Sequence, residues 1–119
     1  MKKTLILGAT TNELRYAYKA AEKLNEHNHL IVPVGIKKGN VFGKEIINSK
    51  EIQTGIDTIT MYIGPKHQEE WYDYILETQP KRVLFNPGTE NLILQHKLQD
   101  EGIDFEEACT LVLLNLGEY

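Results

Sequence analysis

The chain has 119 residues, of which 41% are hydrophobic and 25% charged, and its formal charge is −4. That length suits a single domain with its own core, and the composition excludes disordered and collagen-like classes. A net negative charge gives no reason to expect nucleic acid or an anionic membrane as partner, and a lone cysteine, Cys109, excludes an internal disulfide framework.

Leu5-Ile6-Leu7 is a short apolar run closed by Gly8, the pattern of a buried parallel strand. The basic start Met1-Lys2-Lys3 precedes too little apolar sequence for a signal peptide, and no run approaches the roughly 20 residues of a membrane span. The expected location is the cytoplasm. From Asn12 to about His27, Leu14, Ala17, Tyr18, Ala21 and Leu24 recur at helical spacing. Leu30–Val34 reads as a second strand, with Pro33 and Gly35 marking its end. Ile36 to Gly55 lacks helical periodicity and reads as a loop, with one short extended piece near Glu45–Ile47.

Ile56–Ile63 is β-branched and stops at Gly64-Pro65, a third strand. Gln68–Thr78 carries Trp71, Tyr74, Ile75 and Thr78 on one side of a second helix, an aromatic face that could also serve a homodimer contact. Arg82–Phe85 is a fourth strand, ended by Asn86-Pro87-Gly88. Thr89 can cap a third helix, Glu90–Glu101, whose apolar stripe includes Leu92, Ile93, His96 and Leu98, with Gly102 just past its end. Ile103–Phe105 reads as a fifth strand, and Ala108–Leu116 as a closing helix or a further strand. The alternation predicts one Rossmann-like, doubly wound α/β domain over residues 1–119, with a five-stranded, mainly parallel sheet and helices on both faces.

Ligands of such sheets bind beyond the carboxyl ends of the strands, which directs attention to four loops. Gly8-Ala9-Thr10-Thr11-Asn12 joins the first strand to a helix, where free helix N–H groups and the helix dipole favour a phosphate. The same residues also fit simple helix capping. The loop has neither the full glycine signature of dinucleotide sites nor a P-loop's lysine and hydroxyl pair. Lys37 and Lys38 follow the second strand where dinucleotide domains usually place an acid, so a phosphorylated ribose, as in coenzyme A or NADP, suits them better than NAD. Gly64-Pro65 and Pro87-Gly88 allow close backbone approach to a ligand.

Catalytic candidates are scarce. His27 and His29 belong to a polar turn and are expected to be solvated, His96 to pack on the third helix, and His67 to start a helix within reach of a ligand. The histidines have no metal-ligand spacing, and Cys109 has no neighbouring base to activate it, so a buried structural thiol is its expected role.

The loop Gly8–Asn12 followed by Arg15-Tyr16 resembles that of the small bacterial CoA-binding domain proteins, which read Gly-Ala-Ser-Pro-Asn and then Arg and Tyr. The same domain forms the N-terminal part of the succinyl-CoA synthetase alpha subunit. Val32-Pro33-Val34, Val41-Phe42-Gly43-Lys44, Phe85-Asn86-Pro87-Gly88 and Glu107-Ala108-Cys109 continue the resemblance through essentially the whole chain. The resemblance implies non-catalytic binding of coenzyme A or an acyl-CoA, in a carrier, sensor or subunit role within a larger enzyme. It assigns the phosphates to Gly8, Thr10, Thr11 and Asn12, with Ala9 and Arg15 also among the cofactor-binding residues, a helping cation to Lys38 or Lys37, and the bracketing of the cofactor to Ile63, Gly64, Pro65, Asn86, Pro87 and Gly88. Two departures stand out. The family's Asn-Pro is absent from the second strand's end, and the synthetase's phosphohistidine belongs to a second domain, so ligase activity by this chain alone is not expected. The alternatives are a small NADP-dependent enzyme using His67 or Cys109, or a redox-sensing nucleotide-binding protein. A third is an interaction module with a vestigial site.

Overall fold

In the computed structural model, which describes residues 1–119, the chain opens with β1 (Thr4–Leu7), α1 (Tyr16–Glu26) and β2 (Ile31–Val34). A small antiparallel hairpin, β3 (Asn40–Val41) and β4 (Lys44–Glu45), comes next. There follow β5 (Thr58–Met61), two 3-10 turns, α2 (Tyr72–Thr78), β6 (Arg82–Phe85), α3 (Leu92–Asp100), β7 (Asp104–Glu107) and α4 (Thr110–Leu116). Five parallel strands form the main sheet in the order β2-β1-β5-β6-β7. Ile47 adds one parallel bridge outside Val34, where the predicted extended piece lies, so the strand order is that of a Rossmann domain with its reversal between β1 and β5.

The strands are short, yet β1, β2 and β5 are buried at every position because helices cover both faces. Side chains alternate across the sheet. Leu5, Leu7, Ile59, Met61, Val83 and Phe85 pack with Trp71, Tyr74, Ile75, Leu94 and Leu98 beneath α2 and α3. Ile6 and Leu84 point the other way, towards Ala17, Ala21, Leu24 and Leu114 of α1 and α4. No helix is long and apolar enough to cross a membrane. In-phase parallel registers pair Leu7 with Val34 and Met61, Met61 with Phe85, and Phe85 with Glu107. All five strands therefore end at one edge, and the four predicted loops leave from it together.

Local chemistry moves several boundaries. Thr10 and Asn12 form side-chain turns that accept the N–H groups of Asn12 and Leu14, so α1 starts at Tyr16 rather than Asn12. The expected helix at Gln68 is instead a 3-10 turn over Glu69–Trp71, and α2 begins only at Tyr72. In α3 the cap is Asn91, whose Oδ1 accepts from Leu94 N–H, while the Thr89 hydroxyl donates to the Asn86 carbonyl. That later start rotates the helix. Gln95 is buried, and Leu92, Ile93 and His96, expected on the apolar stripe, face solvent. The last strand begins at Asp104, one residue later than expected, and the stretch after it is helical, not a strand.

Candidate functional site

The turn after β1 is set by Gly8, whose φ of +100° is open to glycine. That conformation brings both the Gly8 and Ala9 N–H groups to the Val34 carbonyl, at 2.8 and 3.1 Å, tying the loop to the end of β2. A Cβ on Gly8 would lie 2.9 Å from the Tyr62 carbonyl carbon, so the turn is held against β5 as well. Beyond it the backbone is under-satisfied. Asn12 N–H donates to Thr10 Oγ1, Leu14 N–H to Asn12 Oδ1 and Arg15 N–H to the Asn12 carbonyl, but the N–H groups of Thr10, Thr11 and Glu13 have no acceptor within the chain. The first turn of α1 adds those of Tyr16, Ala17 and Tyr18, because Arg15 stands at the N-cap in an extended conformation and supplies no capping oxygen. A two-part array of donors thus surrounds the start of α1, next to its positive dipole end.

These groups open onto a cleft of about 910 Å³. Of the residues predicted from sequence, Gly8, Ala9, Thr10, Thr11, Asn12, Arg15, Lys37, Lys38, Gly64, Pro87 and Gly88 line it. Pro65 and Asn86 do not. The Gly64 carbonyl accepts His67 N–H at 2.9 Å, a tight turn that presents His67 to the cleft and turns Pro65 away. Asn86 is buried between strands. Its Nδ2 donates to Thr60 Oγ1 and the Met61 carbonyl, and its Oδ1 accepts Thr110 N–H. It joins β5, β6 and the start of α4, leaving no free polar group for a ligand.

The far wall holds Ile63 and His67, which the sequence already placed beside a ligand, together with Tyr62, Glu70, Trp71 and Thr89, which it did not. Buried Gln68 unites them from behind, donating to the Ile63 and Thr89 carbonyls at 2.8 Å each and accepting from Asn91. Nothing in the local sequence distinguishes this glutamine from a solvated one. Leu14, Tyr16 and Ile36 stand exposed around the mouth.

The cleft is electropositive within an acidic chain. Arg15, Lys37 and Lys38 line it and make no ion pair, whereas its one lining acid, Glu70, lies 3.8 Å from Lys50. Lys50 also sits 4.9 Å above the Trp71 ring. Burial pushes the Tyr62 phenol far above its ordinary range, and its hydroxyl lies towards Thr60 and Thr110, which do not line the cleft.

The remaining candidates lie apart. Cys109 is half-buried at the start of α4 and does not line the cleft. His27 is exposed, but His29, expected in solvent, is half-buried at the opposite end of the sheet. Its Nδ1 accepts Lys2 N–H at 2.9 Å, and its ring packs against Tyr119. No three His, Cys, Asp or Glu side chains converge as a metal site.

A family model for the CoA binding domain matches residues 2–115. The chain belongs to the CoA-binding domain family. One crystal structure, of a protein described only as uncharacterized, is 55% identical, with a TM-score of 0.98 and coverage of 100% of this chain and 98% of the other. A hypothetical protein from Pyrococcus horikoshii shares 25% identity at a TM-score of 0.85, over 93% of this chain and 80% of its own. A Thermus thermophilus protein at 20% identity and TM-score 0.89, covering 99% and 90% of the two chains, shares the fold. No curated protein matches the chain. Within this CoA-binding domain, the loop that the family resemblance singled out carries several unpaired amides.

Proposed function

We propose that the chain binds coenzyme A or an acyl-CoA in this cleft, without a catalytic constellation of its own, as a cytoplasmic carrier, sensor or subunit. The observation that carries this reading is the convergence of unpaired N–H groups and three unpaired cations on one cleft of a chain with net charge −4. In this reading the amides of Thr10, Thr11 and Glu13 and the first turn of α1 hold the diphosphate, with Arg15 beside them. Lys37 and Lys38 take the phosphate on the ribose. Gly64, Pro87 and Gly88 let the chain approach the extended arm of the cofactor, and Trp71 and Ile63 supply an apolar wall.

NAD and NADP are the informative competitors. Val34-Gly35-Ile36 offers no acid for a ribose diol, and the lysines favour a ligand carrying a ribose phosphate. The test is a thermal shift series with CoA, acetyl-CoA, NADP and NAD. At a hundredfold excess over Kd, CoA should raise Tm by roughly 8–12 °C, the equivalent of about 2.7 kcal/mol, and NAD should do nothing measurable. Replacing both lysines with alanine should weaken CoA binding by about 1–3 kcal/mol. A rise with NADP alone would support the small-enzyme alternative, and no rise with any ligand would favour a vestigial site. The single tryptophan, Trp71, lines the cleft and gives an independent fluorescence readout.

A further inference from the structure

The loop that carries Lys37 and Lys38 has no regular structure of its own, yet it is stapled along its length by the segment Ile46–Asn48. Gly35 N–H donates to the Ile47 carbonyl at 3.0 Å, and Ile46 N–H to the Gly39 carbonyl at 2.8 Å. Between these backbone bonds, Asn48 Nδ2 donates to two carbonyls at once, those of Gly35 and Lys37, at 2.7 Å each. Both amide protons are used, and no other side chain grips this loop. On its other side, Gly39 lies so close to Thr11 that a Cβ would stand 2.6 Å from the threonine methyl. The lysine loop is thereby wedged between the Asn48 clamp and the loop that carries the free amides.

Resting on the CoA reading above, we infer that Asn48 is a positioning residue which makes the cleft selective for a ligand with a phosphate on its ribose. The physical basis is pre-organisation. Two long lysine side chains lose rotamer freedom when they converge on one phosphate, and a mobile backbone beneath them adds a further ordering penalty. Asn48 fixes the carbonyls on either side of Ile36, so the peptide leading into Lys37 and Lys38 is set before ligand arrives. The diphosphate donors sit on the β1 loop and α1 and make no hydrogen bond to Asn48, which holds only the Gly35 and Lys37 carbonyls. Asn48 is exposed and is not among the residues lining the cleft, so it acts only through the loop.

The experiment compares the affinities of CoA and 3′-dephospho-CoA by calorimetry for the wild-type chain, Asn48→Ala, Lys37→Ala/Lys38→Ala and the triple variant. The wild-type chain should prefer CoA, and Asn48→Ala should weaken CoA about tenfold while changing dephospho-CoA by less than about twofold. In the lysine-free background Asn48→Ala should have no further effect, the non-additivity expected of a residue acting through its neighbours. Equal losses for both ligands, or an unchanged ratio, overturn the inference while leaving CoA binding intact. A wild-type chain that binds CoA and dephospho-CoA equally also overturns it. A chain that binds neither removes the CoA reading itself, and this inference with it.

Discussion

Replacing Gly8 with alanine attacks the turn on which the site depends, and the structure separates the two sources of its cost. The first is dihedral: at φ +100° an L-residue is strained by about 1–2 kcal/mol. The second is steric. The new methyl would meet the Tyr62 carbonyl carbon at 2.9 Å, its oxygen at 3.0 Å and Ile63 Cγ1 at 3.1 Å, and two of those atoms are backbone that cannot swing aside. Relief requires parting β1 from β5, a penalty of about 1–3 kcal/mol typical of overpacking. Gly43→Ala isolates the first term, since φ there is +83° and no atom lies within 4 Å. Gly64→Ala carries neither, with φ at −64° and open space around it.

Urea denaturation should therefore rank the variants, with losses of about 3 kcal/mol for Gly8→Ala and about 1 kcal/mol for Gly43→Ala, and a change within about 0.5 kcal/mol for Gly64→Ala. With a slope of about 1.5 kcal/mol/M, the first loss moves the midpoint by about 2 M, well outside experimental error. Gly8→Ala should also weaken CoA far more than Gly43→Ala does, because the displaced turn carries the free amides. If Gly8→Ala and Gly43→Ala lose equal stability, the close approach of the turn to β5 is wrong, and with it the account of how the amide array is held.

Asn86→Ala removes a buried carboxamide serving Thr60, Met61 and Thr110, and should destabilise the chain by about 2–4 kcal/mol, measured by the same denaturation. A loss under about 0.5 kcal/mol would contradict its bridging role. Burial raises the pKa values of Tyr62, Tyr74 and Tyr119 above the ordinary phenol value of 10.0, so between that value and the folded-state values the native chain holds protons that the unfolded chain has released. Stability should be complete below about pH 10 and fall as pH rises further; a urea midpoint unchanged between about pH 9 and pH 11 would refute this. His29 has the opposite sign. Burial, then the positive charges of the N-terminus, His27, Lys2 and Arg82, lower its pKa below 6.5, so its contribution is present above that pH and is lost as pH falls through the folded value. His29→Gln should flatten that acid limb, and an NMR titration of the ring at its ordinary pKa would exclude the effect.

Strands β1, β2, β5 and β6 could be found from their apolar runs, because burial on both faces leaves little room for polar side chains, whereas exposed β7 and the β3–β4 hairpin, which the sequence reads as loop, carry no such run; the stops at Gly8, Gly64 and Pro87 lie where the chain leaves the sheet. What misled was competition between short polar side chains and the helix. Leu14 has helical spacing with Ala17 and Ala21, yet Asn12, itself held by Thr10, takes its N–H, and its side chain is left 85% exposed at the cleft mouth. Thr89 and Asn91 are both plausible caps, and choosing the earlier one turns Leu92 and Ile93 inward when they face out. The near side of the cleft was legible because glycine and lysine after parallel strands have local causes. The far side was not: Gln68, Tyr62 and Trp71 matter through partners many residues away, such as the Thr89 carbonyl.

Because one glutamine side chain grips the carbonyls of both Ile63 and Thr89, the segments following β5 and β6 are mechanically coupled. Lengthening either would break a bond that belongs to the other. Divergence in what this wall tolerates should therefore proceed by exchanging side chains such as His67, Glu70 and Trp71 on a backbone of fixed length, while insertions accumulate at the tip of the β3–β4 hairpin, where Gly43 is exposed with open space around it.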